Sequence, residues 1–353
     1  LPSHITYIFV AYMFGCMATL LFLGRASNSF GFLRTLQAGM LFVIAGLALS
    51  AISPNALTLS FARFLIGIAS GLISTSAMLG LIYTIPDSHK QSAPQLSSII
   101  TVIGFGLGPL IGGIIAQFSA KPLMIPYLPV IAGAIVCLIS LFSVKHVPMQ
   151  KQPFSIAPHL QLPEAQYHGL FYIAGFTAFS AFASFSLFAS LAPSFVKDII
   201  PWHGPMVSGT AIASILLVSA LSQFTAKKMK PRKALNAGLL SLIIGCMLLS
   251  LCVYMHWSIL FFISVFAAGM GHGLGLLGAF GMIHGMTVPD NRAAVMSTYL
   301  FIGYLGTILP IIGAGYLSNH FGLGAGVSGF CLAVGLLCAW LLIFQRRMRL
   351  AAQ

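Results

Sequence analysis

Two ionisable side chains lie inside long apolar runs, where a charge is expensive, and any chemistry is most readily sought there. Arg63 opens the string RFLIGIASG (63–71) within an apolar stretch over 57–84. A guanidinium at such a depth faces a bundle interior or a water-filled cavity. Arg63 is also only about two turns from the end of its run, so snorkelling to the interface is a second reading. No carboxylate of this sequence sits at a matching depth, so its partner could be an anionic group on a solute, bound water, or a residue of a helix not in this sequence. His272 falls near the bilayer midplane, in the string AAGMGHGLGLLGAFGMIHG (267–285), which holds seven glycines. Free imidazole titrates near pH 6.5, so His272 can carry or sense a proton. A hydrogen-bonded packing histidine in a glycine-loosened helix accounts for the same residue. A third feature is the row Phe176, Phe179, Phe182, Phe185 and Phe188, interleaved with Ser180, Ser184 and Ser186. Aromatics beside hydroxyls suit an amphiphilic organic solute, with Phe179, Ser180 and Ser184 as candidate contacts. Steps of three residues advance by about 300°, so the row winds around its helix, and lipid-facing phenylalanine explains part of it.

Other chemistries find little support. The six cysteines all fall in apolar runs with no C-x-x-C, which reads as small buried hydrophobes, without a metal or a disulfide framework. No span carries an Asp pair or H-x-x-x-H spacing, so no intramembrane hydrolase is expected. No cofactor and no metal are expected.

The elements that hold these residues follow from composition. Of 353 residues, 58% are hydrophobic and 6% charged, with a mean hydropathy of +0.99. Soluble domains carry about a quarter charged residues, and disordered chains are far less apolar. A β-barrel would alternate in segments of about ten residues. The remaining class is an all-α polytopic membrane protein. Breakers and apolar runs give eleven spans, at 5–23, 35–52, 57–84, 94–118, 125–144, 167–196, 206–225, 234–255, 257–286, 294–317 and 323–345. Residues 145–166, with four prolines and two lysines, read as a cytoplasmic linker between an N-terminal bundle (1–144) and a C-terminal one (167–353). Of 17 Lys and Arg, Lys121 and Lys197 fall on one side, Arg63 lies within a span, and the other fourteen share the opposite side. The positive-inside rule makes that side cytoplasmic and puts the C-terminus there. Trp202 and Trp257 fall in connections on the outer side, where indoles favour the interface. The net charge of +13 thus marks topology and implies no nucleic acid.

The chain also repeats itself. LQAGML at 36–41 recurs as LNAGLL at 235–240, Pro86-Asp87 as Pro289-Asp290, and PLIGG at 109–113 as PIIGAG at 310–315. Offsets near 200 residues indicate two parallel repeats. The span at 167–196 opens the second repeat, and its counterpart would precede residue 1. The expectation is therefore two six-helix bundles with the first helix missing. A signal-peptide reading of 5–23 lacks a basic n-region.

Three strings carry a resemblance to the major facilitator superfamily over essentially the whole chain. GRASNSFGFLR (24–34) looks like a degraded G-x-L-a-D-r-x-G-r-r loop: Gly24 and Gly31 are kept, Asn28 replaces the acidic residue, and Phe32 and Leu33 replace basic ones just before Arg34. In the family that loop is a charge-relay latch, so the loss of its carboxylate puts the latch in doubt. Arg63 and Gly67 are similar to the R-x-x-x-G signature of the fourth helix. GFGLGPLIGG (104–113) fits G-x-x-x-G-P-x-x-G-G throughout, through Gly104, Gly108, Pro109, Gly112 and Gly113, and resembles the fifth helix of the drug:proton antiporter branch. Gly104 and Gly108 are expected to offer a flat packing face, and Pro109 to permit a kink.

The resemblance implies a major facilitator fold, with Arg63 and His272 both on cavity-lining helices. It implies a secondary transporter working by alternating access, with proton-coupled efflux of a small hydrophobic or amphipathic compound. Uptake of a small metabolite and a transport-inactive remnant are the alternatives. The partners implied are the lipid bilayer, a small-molecule substrate and protons as candidate coupling ion. A monomer is expected, in the cytoplasmic membrane if the source is bacterial.

Overall fold

A computed structural model describes residues 2–23, 26–86, 93–144, 153–158, 160–191, 204–287 and 289–351. The regular elements among them are all helical. They are α1 (Pro2–Ala18, continued by a π-helical turn Thr19–Leu23), α2 (Ala26–Phe30), α3 (Phe32–Ala51), α4 (Ala56–Thr84), α5 (Ala93–Phe118) and α6 (Tyr127–Phe142). After the 145–166 connection come α7 (His168–Ser190), α8 (Pro205–Thr225), α9 (Pro231–Met255), α10 (Ser258–Gly285), α11 (Pro289–Phe321) and α12 (Leu323–Ala351). Nine helices among the described residues are long and apolar enough to cross a membrane, and two shorter apolar ones, Gly104–Phe118 and Tyr127–Phe142, make eleven. The eleven expected spans are therefore found, with ends that differ by a few residues. The α12 helix runs on to Ala351 past Arg346 and Arg347. The expected end of the 167–196 span lies outside the described residues, as do the 145–152 part of the linker and Trp202.

Local chemistry sets several helix ends. Asn55 caps α4, its side chain accepting from the Thr58 N–H at 2.9 Å. Pro205 and Pro231 open α8 and α9, where a missing N–H costs nothing. Gly31 precedes α3 at φ +91°, a conformation that favours glycine. Within the spans, hydroxyls return to their own helix: Thr19 donates to the Gly15 carbonyl, Ser50 to Gly46 and Thr177 to Ile173. This satisfies polar groups where no water competes.

The chain divides into two compact units. One comprises Leu1–Thr6, Phe105–Gly113 and His159–Gln353, the other Tyr7–Gly104 and Ile114–Pro158. In the first, α7 and α10 are the inner helices: 67% and 61% of their apolar windows are buried, against 28–39% for the other long spans. The α10 helix packs on α7, α8 and α9, while α12 packs on α9 and α11. In the second unit α3 lies between α4 and α6. The repeat is visible in the packing. A Cβ on Gly39 of LQAGML would stand 2.8 Å from Ile73 Cγ1 on α4, and one on Gly238 of LNAGLL 2.6 Å from Gly275 Cα on α10. Equivalent glycines thus bring equivalent helix pairs together. Five cysteines are buried as expected, whereas Cys137 is exposed on α6.

Candidate functional site

In the second unit, Arg63 lies about 12 Å along α4 from its start. It is half-buried, and its Nη2 donates to the Tyr127 hydroxyl at 3.3 Å. Tyr127 is the first residue of α6. The sequence reading offered Arg63 no partner from this chain, and Tyr127 is that partner. A tyrosine opening an apolar run is a common interfacial residue, which is the one signal that could have pointed to it. Seven residues beyond Arg63, on the same face of α4, Ser70 pairs with the Tyr12 hydroxyl of α1 at 2.9 Å. Close packing holds α1 there: a Cβ on Gly67 would overlap the Tyr12 carbonyl oxygen, and one on Gly15 would stand 3.0 Å from the Ile68 nitrogen. Arg63, Tyr127, Tyr12 and Ser70 thus form a hydroxyl-lined cationic site spread over three helices. Below it, at the other end of α3, α4 and α6, an apolar cavity of about 240 Å³ is lined by Phe32, Leu36, Gly80, Leu81 and Leu141 among others.

The loop residues are placed only in part. Gly24 and the Asn28 side chain lie outside the described residues. Gly31 sits at the α3 start, where its carbonyl accepts from Thr35 Oγ1 at 2.9 Å. Arg34 is exposed on the first turn of α3. Ser27 of α2 is buried and bonds Ser76 of α4 at 2.6 Å, so this short helix is anchored by hydroxyls.

In the first unit, His272 is 7% exposed, and its Nδ1 lies 2.8 Å from Ser219 Oγ on α8. Gln223 Nε2 donates to the same Ser219 Oγ at 3.3 Å. Ser219 Oγ thus joins the imidazole to the Gln223 amide, and its hydroxyl can either donate to Nδ1 or accept from it according to the imidazole tautomer. The Phe182 and Phe185 rings lie 5.8 and 6.1 Å from the imidazole, and Phe182 stacks on Tyr304 of α11 at 5.7 Å. Glycines let the neighbours close in on His272: a Cβ on Gly273 would overlap Ser219 and Ser222, and one on Gly271 would stand 2.7 Å from Leu242. The phenylalanine row is less lipid-exposed than expected, with Phe188 buried and the other four half-buried. Phe179 meets α11, where its carbonyl would overlap a Cβ on Gly306. Ser180 and Ser184 are buried and donate to the Phe176 and Ser180 carbonyls at 2.9 and 3.0 Å. Cys338 of α12 and Cys246 of α9 lie against them, so these two serines face helix packing and not the His272 side.

The α5 string corrects one expectation. Among the described residues, a Cβ on Gly104, Gly108 or Gly112 would meet nothing within 4 Å, so the close approach seen there is not made by these glycines. The approach is made on another face of α5. A Cβ on Gly113 would stand 2.6 Å from the Pro205 carbonyl oxygen, and one on Gly209 of α8 would overlap the Pro109 carbonyl. Residues 104, 108 and 112 share one stripe, and 109 and 113 another, rotated by about 100°. Pro109 itself lies within one continuous helix. Among the described residues, no group of His, Cys, Asp and Glu could hold a metal.

Comparison with known proteins adds a family. A model described as Major Facilitator Superfamily matches residues 2–309. The riboflavin transporter RibZ of Clostridioides difficile (strain 630) is 28% identical over 120 residues, 34% of this chain and 26% of that protein. The methylenomycin A resistance protein of Streptomyces coelicolor is 29% identical over 136 residues, covering 38% and 28% respectively. The matches thus span about a quarter of these relatives' own lengths. A crystal structure of a D-xylose-proton symporter superposes with a TM-score of 0.73 at 15% identity, covering 96% of this chain and 87% of that one.

Proposed function

The chain belongs to the Major Facilitator Superfamily, and from that membership we propose that it is a secondary transporter working by alternating access. In this reading it carries a small hydrophobic or amphipathic organic compound outward in exchange for protons. It acts as a monomer with its C-terminus in the cytoplasm, through an N-terminal bundle (1–144) and a C-terminal one (167–353). The resemblance of the string Gly104–Gly113 to the fifth helix of the drug:proton antiporter branch supports export, and its Pro109 and Gly113 meet Gly209 and Pro205 of α8 without intervening side chains. Such a contact can slide or part at little cost, because no interdigitated side chains need repacking. The likeness to a methylenomycin A resistance protein supports export. The likeness to a riboflavin transporter favours a second reading, movement of an aromatic metabolite.

His272 is the proposed coupling group. Its Nδ1 shares a hydrogen bond with a neutral serine, and a protonated imidazole, a donor at both nitrogens, would give that hydrogen to Ser219 Oγ. The aromatic solute-contact role falls to Phe179, Phe182 and Phe185, with Ser180 and Ser184 supporting them through packing. The test is efflux of a lipophilic fluorescent dye from cells expressing the protein. Export should stop when an ionophore collapses the proton gradient, and His272→Asn should retain dye binding while losing gradient dependence. Gradient-driven export unchanged in His272→Asn would remove the histidine from coupling.

A further inference from the structure

The site around Arg63 combines a fixed positive charge with three hydroxyls, and that charge identifies a ligand class. Arg63 carries five N–H donors and no acceptor, and the described structure engages one of them, with the Tyr127 hydroxyl. Because the Tyr127 oxygen is accepting, its own hydrogen is left to donate outward. The Tyr12–Ser70 pair uses one hydroxyl hydrogen between the two residues, which leaves the other to donate. Tyr12 also lies within electrostatic range of Arg63. All four residues are half-buried, so a solute can reach them. Among the described residues of this unit there is no Asp or Glu, so a cation would meet the guanidinium charge with no carboxylate to offset it. A planar carboxylate, in contrast, matches the guanidinium fork. Ser70 lies about 10 Å further along α4, a span that suits the body of a small amphiphile.

We propose that Arg63 and Tyr127 receive an anionic group, a carboxylate, on the transported compound, with the Tyr12–Ser70 pair contacting the body of the molecule. This deepens the transport reading and rests on it. An Arg63 that merely snorkels would be indifferent to the charge of the solute.

The test uses three probes sharing one aromatic body: 1-pyrenebutyrate, 1-pyrenebutanol and a pyrenebutyl-trimethylammonium. Binding to the purified full chain is read by fluorescence, and flux of the same probes is followed in proteoliposomes. The anion should bind at least about tenfold more tightly than the alcohol or the cation, as expected for a charge-assisted bidentate contact. Arg63→Gln should abolish that preference, and Arg63→Lys should keep part of it. Tyr127→Phe, which preserves the ring, should weaken the anion alone. Overturning results are equal affinity for the three probes, a preference that survives Arg63→Gln, or equal losses for all probes in Tyr127→Phe. Facilitated flux of neutral or cationic probe with no anion preference would sink this inference and leave the transport reading standing. No facilitated flux of any probe would sink both.

Discussion

Ser219 and Tyr127 are the side chains that give His272 and Arg63 their settings, and neither announces itself in the sequence. Arg63 and His272 were legible because an ionisable group in an apolar run is rare and costly. Their partners lie 64 and 53 residues away in the chain, and isolated hydroxyls are too common to single out. Ser180 and Ser184 show the opposite error: they stood out beside the phenylalanines, yet their hydroxyls bond their own helix. Removing the Ser219 hydroxyl would leave a buried imidazole nitrogen unpaired. Ser219→Ala should therefore cost about 1–3 kcal/mol of stability, read as a lower Tm in detergent, and Ser219→Thr should recover part of it. A Tm unchanged in Ser219→Ala would mean the hydrogen bond contributes nothing net.

At the scale of the element, α5 separates composition from geometry. The string Gly104–Gly113 was readable as a small-residue helix, but which glycines meet a neighbour depends on how the helix is rotated. Only Gly113, with Pro109 opposite Gly209, makes the close contact. Gly108→Ala should therefore leave both Tm and flux near wild type, since its Cβ meets none of the described residues and helix propensity favours alanine by up to about 1 kcal/mol. Gly113→Ala and Gly209→Ala should each reduce flux, because a backbone carbonyl stands in the way and carbonyls cannot rotate aside. The comparison of flux in these three variants decides it; a defect in Gly108→Ala equal to that in Gly209→Ala would contradict the assignment. Element ends were less legible than element existence. The α11 helix begins at Pro289 and α12 continues through Arg346, because a helix does not stop where its apolar stretch does.

At the scale of the molecule, the hydropathy pattern gave the eleven spans, while the repeat of LQAGML as LNAGLL was legible only as a duplication, and the use of Gly39 and Gly238 at equivalent helix contacts emerges from the packing. The central role of α7 and α10 was harder to see. It comes from burial in the bundle, which apolar composition alone does not encode when every helix is apolar. Membership in a transport family is consistent with all of this, and the claim on which the whole account depends is that the folded chain moves solute by alternating exposure of one site. Transient counterflow tests it most directly. Proteoliposomes loaded with unlabelled 1-pyrenebutyrate are diluted into a trace of isotopically labelled compound. The account predicts that labelled solute rises above its equilibrium level inside and then decays, because a reorienting carrier exchanges bound solute one for one. Label that only equilibrates, at the rate seen in protein-free vesicles, would contradict it.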